Sequence, residues 1–169
     1  AMVAREGDPT PALAAVLLVD DALIGAAPAL AAILEDRMRA VSADATIARG
    51  AIVLTWDASG SAATGLRAFI GAITAPITTS PGLARRAADL AGPVPRRGLE
   101  AAARCSGAAT PPEGAPPPDL TKAEGIAAVE ALRQSIATAE RTSLAIVGPQ
   151  ATVDGAAREL SAAAAFPGG

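Results

Sequence analysis

The sequence predicts an α/β fold of the α+β kind: a single sandwich domain in which a mixed sheet of about four strands is covered by helices. Three observations predict it. Short apolar runs bounded by Pro, Gly or Asp stand at Ala12–Val19, Ala51–Asp57 and Thr142–Val147, as strands require. Between them lie longer segments whose Leu, Ile and Val recur every three or four residues, as on one helix face. The chain has 169 residues, and residues 1–169 are expected to share one buried core.

In order, Ala12–Val19 reads as a buried strand, because its run ALAAVLLV is apolar throughout. Pro28 can stand in the first turn of a helix over Pro28–Val41, with Leu30, Ile33, Leu34 and Met38 on its apolar face. Thr46–Ala48 is a short strand, Gly50 a turn, and Ala51–Asp57 a second strand. Ser59-Gly60-Ser61 offers a cap for a helix to about Thr74, with Leu66, Phe69, Ile70 and Ile73 on one face. The next helix has Ser80 to cap it, Pro81 in its first position and Gly92-Pro93 to end it. Arg96–Cys105 reads as a short helix. Cys105–Asp119, with Pro116–Pro118 in succession, reads as a long surface loop of the same domain. Thr121 and Glu124 have the spacing of a capping box for a helix to about Ala139, which carries Ile126, Val129, Leu132 and Ile136. Thr142–Val147 is a strand ended by Gly148-Pro149. A last helix covers Thr152–Ser161, and residues 162–169 form an Ala-rich, Gly-ending tail expected to fray.

Composition narrows the chemistry. The chain contains no histidine, so Ser-His-Asp and Cys-His catalysis cannot be assembled within it, and the commonest zinc ligand is missing. Ala makes up about a quarter of the residues and contributes little area, so Leu, Ile and Val must supply the core. A net charge of −3 creates no strong field toward nucleic acid or an anionic membrane. Cys105 is the only cysteine, which rules out an internal disulfide and fits a reducing, cytoplasmic setting. The apolar run Pro11–Val19 is flanked by Glu6, Asp8, Asp20 and Asp21, which is wrong for a signal peptide. No long uninterrupted apolar stretch suits a membrane span.

Several constellations have a functional and a plain reading. Asp20, Asp21 and Asp57 at strand ends could ligate Mg²⁺, but acidic residues there more often form turns and caps. Cys105 has Arg104 beside it and no base, so a plain thiol is expected. The stretch GSAATG at residues 60–65 lacks the Gly-Lys-Ser/Thr ending of a phosphate loop, and a helix cap explains it better. Arg85, Arg86, Arg96, Arg97 and Arg104 are diluted by acids and lack aromatic company for base stacking; salt links to a partner suit them better than nucleic acid. PPEGAPPP lacks the flanking basic residue of a polyproline ligand, so a stiff loop is expected. Glu35 and Asp36 follow the apolar run of the early helix. Their plain role is solvated charge, with Glu35 and Arg39 at i,i+4 spacing. Carboxylate-only acid/base catalysis by this pair is a further alternative.

The early strand followed by a helix reading Ala32-Ile33-Leu34-Glu35-Asp36 resembles a domain of the pitrilysin/insulinase-type zinc metallopeptidases, which include the mitochondrial processing peptidases. Their helix carries His-x-x-Glu-His, two zinc ligands one turn apart with a Glu that activates water. The latter part, from Leu120 to Leu160, is similar too: a Leu-Thr start, a helix, an apolar strand ending in Gly and a closing helix. On this resemblance Glu35 stands at the Glu, while Ala32 and Asp36 replace the two histidines. A third ligand, a downstream Glu, has only Glu100 and Glu113 as candidates. The resemblance therefore implies a non-catalytic member with no catalytic residue, no metal and no cofactor. Its expected partners are an active peptidase subunit or a second copy of itself, and an extended peptide held along a sheet edge. A free-standing interaction domain without any peptidase connection is the alternative.

Overall fold

The computed structural model describes residues 4–5, 11–48, 50–59, 61–77, 81–91 and 117–163. Among these residues five strands form one sheet: β1 (Ala4–Arg5), β2 (Ala12–Leu18), β3 (Asp44–Ala48), β4 (Ala51–Asp57) and β5 (Thr142–Val147), in the order β1-β5-β2-β4-β3. The sheet is mixed: β1 runs parallel to β5, and every other pairing is antiparallel. The helices are α1 (Ala27–Arg37), α2 (Ala62–Thr74), α3 (Ala84–Ala91), α4 (Ala123–Ile136) and α5 (Gln150–Ala163). The expected mixed α/β fold is thus present, with the two-residue β1 as an addition that no hydrophobic pattern announces. No helix among the described residues is long and apolar enough to cross a membrane.

Strands β4 and β5 have the bounds their apolar runs suggest. β2 was expected to be buried as a whole, but its burial alternates. Leu13, Ala15 and Leu17 face the core, while Leu18 is 49% exposed on the other side. Among the described residues the helices cover one sheet face, so alternate residues of even a fully apolar strand stay outside. β3 and β4 form a hairpin in which Ala48 pairs with Ala51. Gly50 turns there at φ 77°, a conformation glycine adopts without a Cβ penalty.

The core lies between the sheet's inner face and α1, α2 and α4. α1 packs against α2, α3, α4, β3 and β4, so Ala29 to Leu34 are all buried, not only the apolar stripe. Its alanines let these neighbours come close. A six-residue 3-10 turn leads into it, and a short one over Arg39–Val41 follows it; the helix therefore stops at Arg37, short of the expected Val41. Ser42, at φ 52°, reverses the chain toward β3. Trp56 and Phe69 stack with ring centroids 5.6 Å apart. Gly65 makes room for that indole: a Cβ there would stand 2.3 Å from Trp56 Nε1.

Helix starts combine agreement and correction. Ser61 caps α2, its hydroxyl accepting from the Thr64 amide at 3.3 Å. The capping box at Thr121–Glu124 does not form: Lys122 occupies the cap position and α4 has no side-chain cap bond. Asp119 takes its place. One carboxylate oxygen accepts from the Thr121 hydroxyl at 2.6 Å and the Thr121 amide at 3.0 Å. A charged acceptor outcompetes the reach-back of a hydroxyl to the helix. Gly125 is required because a Cβ would lie 2.1 Å from the Asp119 carbonyl oxygen. α4 spans Ala123–Ile136 and α5 Gln150–Ala163, where helices to Ala139 and over Thr152–Ser161 were expected. The expected helix Arg96–Cys105, most of the loop Cys105–Asp119, and tail residues 164–169 lie outside the described residues.

Candidate functional site

α1 ends where α3 and β3 meet it, and its last turn presents Glu35 and Asp36. The plain pairing of Glu35 with Arg39 is replaced by a longer-range one. Arg86 of α3 donates from Nε to Glu35 Oε1 at 2.9 Å and from Nη2 to Oε2 at 2.7 Å. This two-pronged fit suits the planar guanidinium. Glu35 Oε2 also accepts from the Ala45 backbone amide of β3 at 2.9 Å. Arg86 Nη2 reaches Asp44 Oδ1 at 3.3 Å and the Ala45 carbonyl at 3.5 Å. The hydrogen bonds that Arg86 donates to Glu35 raise the Arg86 pKa above its ordinary value, with burial opposing. Arg39 pairs instead with Asp36, one turn away.

Between α1 and the chain around Gly82 and Leu83 opens a cleft of about 480 Å³, lined by Ala32, Glu35, Asp36, Arg39, Ser42, Ala43 and Arg86 as well. Ala32, Glu35 and Asp36 are thus brought to one cavity wall. They do not fit a zinc ion. Ala32 offers no donor atom, both Glu35 oxygens are engaged, and Asp36 is held by Arg39. No three His, Cys, Asp or Glu side chains converge among the described residues. Acid/base work by Glu35 would first have to break its ion pair with Arg86. Glu100 and Glu113, the candidate third ligands, lie outside the described residues, as do Arg96, Arg97, Arg104 and Cys105.

Asp20 and Asp57 take structural posts. Asp20 pairs with Arg141 at 2.7 Å. Asp57 accepts from the Ser59 amide and hydroxyl, each at 2.7 Å, which holds its carboxyl below the usual range. Arg85 is exposed, whereas its neighbour Arg86 turns inward.

A second polar cluster has no counterpart in the motif reading. Arg37 donates from Nη1 to the carbonyls of Ala72 and Ala75 at 2.7 and 2.8 Å, and from Nη2 to Pro76 O at 2.5 Å. Arg133 of α4 donates from Nη1 to Ile73 O at 2.8 Å, and its Nε meets Glu130 Oε2 at 2.8 Å. Glu130 Oε2 also accepts from the Ile77 amide at 3.0 Å. Two guanidinium groups thus satisfy the carbonyls at the C-terminal end of α2 and offset its dipole. Burial, aided by the nearby Arg133 charge, lowers the Arg37 pKa. The Arg133 hydrogen bonds hold Glu130 down at about 2. One sequence signal marks the cluster: Arg133 sits on the apolar stripe of Val129, Leu132 and Ile136, where a charge must find partners.

No family model matches the chain, and no curated protein matches it significantly.

Proposed function

We propose that the chain is a non-catalytic, metallopeptidase-like subunit that binds peptide and scaffolds an active zinc peptidase, in the processing of a precursor peptide. The observation that carries this reading is the cleft beside α1. Ala32, Glu35 and Asp36, the three positions at which the sequence resembles His-x-x-Glu-His, share its wall. The Glu is retained, but an arginine supplies the positive charge beside it. A metal-bearing wall has become a neutral, open one that can hold a peptide by contact alone. The chemistry then belongs to a partner with its own histidines. The lone Cys105 suits a cytoplasmic setting for such a pair.

The test is co-expression with a His-x-x-Glu-His peptidase of the same organism, followed by purification, mass measurement and metal analysis of each subunit. The expected result is a stable heterodimer with zinc on the partner only. Narrowing the cleft with Gly82→Leu, at a lining position where a Cβ meets open space, is expected to weaken peptide capture by the complex while leaving assembly intact. A chain that stays apart from such peptidases, whose activity is unchanged by its presence, overturns the proposal.

A further inference from the structure

β3 is an edge strand, and the hairpin register fixes which of its backbone groups face outward. Ala48 and Ala51 flank the two-residue turn and form a hydrogen-bonded pair; alternation makes Thr46–Val53 and Asp44–Thr55 the next such pairs. The N–H and C=O groups of Ala45 and Ile47 therefore point away from the sheet. Both outward groups of Ala45 are occupied: its amide donates to Glu35 Oε2 at 2.9 Å, and Arg86 Nη2 lies 3.5 Å from its carbonyl. A free edge of this kind is a template for strand addition unless something closes it.

From this we infer that the Glu35–Arg86 pair is a removable lock on the β3 edge, and that the strand it excludes is β3 of a second copy of this chain. The register carries the choice of occupant. An antiparallel pairing of two β3 strands about a two-fold axis at Thr46 sets Ala45 of each copy opposite Ile47 of the other, and Asp44 opposite Ala48. The outward groups of one copy then meet the outward groups of the other, as a closed isologous contact demands. Every hydrogen bond of that pairing uses an Ala45 group of one copy or the other, so the lock blocks all of them at once. No like charges face each other across the contact, since Asp44 meets an alanine. Glu35 and Arg86 come from α1 and α3, so whatever separates those helices from β3 opens the edge. This inference does not depend on the peptidase reading.

The experiment measures self-association of the full chain by analytical ultracentrifugation, for wild type, Arg86→Gln and Glu35→Gln. The expected result is a monomer–dimer equilibrium tightened at least about tenfold in either variant, which corresponds to about 1.4 kcal/mol. Adding Ile47→Pro to Arg86→Gln removes an outward N–H and no ladder bond, and is expected to restore the wild-type equilibrium. Hydrogen exchange of the Ala45 amide, slow in wild type, is expected to quicken in the monomeric fraction of Glu35→Gln, which loses the charged acceptor that this amide meets. Should Arg86→Gln fail to fold, wild type is compared at low and high salt, where screening loosens the ion pair and dimerisation is expected to rise. Folded variants that self-associate no more than wild type overturn the inference. So does association that Ile47→Pro leaves untouched, and, in the salt arm, an unchanged equilibrium.

Discussion

Arg133 is only 10% exposed in its side chain, yet it carries a charge. It remains charged because Glu130 and the C-terminal carbonyls of α2 surround its guanidinium. Removing it strands Glu130 and those carbonyls beside the core. Arg133→Ala is therefore expected to cost about 3 kcal/mol in urea unfolding, at the scale of a broken buried pair. The pH dependence follows from Glu130. Its folded pKa, about 2, lies below the usual 4.5, so the folded state binds that proton more weakly than the unfolded chain. Its contribution is complete above about pH 4.5 and is lost as pH falls toward 2. Unfolding followed from pH 6 to pH 2 is expected to show a loss of stability that is smaller in Glu130→Gln. Equal slopes in the two proteins would show that another carboxylate governs acid unfolding. Neither residue forms a recognisable motif. Arg133 was legible only as a charge misplaced on an apolar stripe, and its carbonyl partners lie about 60 residues earlier in the chain.

Among the elements, α4 shows how a local signature can yield to a neighbour just outside it. Thr121-Lys122-Ala123-Glu124 has capping-box spacing, but the Thr hydroxyl donates to Asp119 and leaves the helix amides alone. Asp119→Ala is expected to lower the melting temperature, whereas Glu124→Ala leaves it nearly unchanged; the reverse order would restore the capping box. Gly125→Ala, ordinarily favourable by about 1 kcal/mol inside a helix, is expected to destabilise here, because its methyl would meet the Asp119 carbonyl. Thermal melts by circular dichroism check all of these. The strands behaved differently. β4 and β5 were legible to the residue because apolar runs between turn formers leave the chain few other options. β1 was not, because two residues carry no periodicity, and it is the parallel pairing with β5 that sets them in the sheet.

The whole molecule depends on contacts distant in sequence. β2 lies in the middle of the sheet, between β4 and β5, so the sheet stays incomplete until the last part of the chain arrives. Deleting residues 142–169 would bare one edge of β2, remove β1's partner and uncover the apolar residues beneath α5. Such a truncation is expected to lose cooperative unfolding and to aggregate. A sharp two-state transition in the truncated chain would show that the β2–β4–β3 sheet stands alone. At the same scale the Glu35–Arg86 pair ties α1 and α3 to the β3 edge, its members 51 positions apart in the chain. It displaced the local Glu35–Arg39 pair that helix spacing favours, because a two-pronged, half-buried contact gains more than an exposed one.

By itself the sequence determined the class of fold, the principal strands and the absence of any histidine-based chemistry, because apolar periodicity, Gly and Pro punctuation and residue type act locally. The tertiary structure alone decided what the charged residues do. Glu35 binds Arg86, Arg37 and Arg133 serve the end of α2, and Asp119 replaces the capping box. An ion or a carbonyl pairs with whatever the fold brings within about 3 Å, and separation along the chain does not encode that distance.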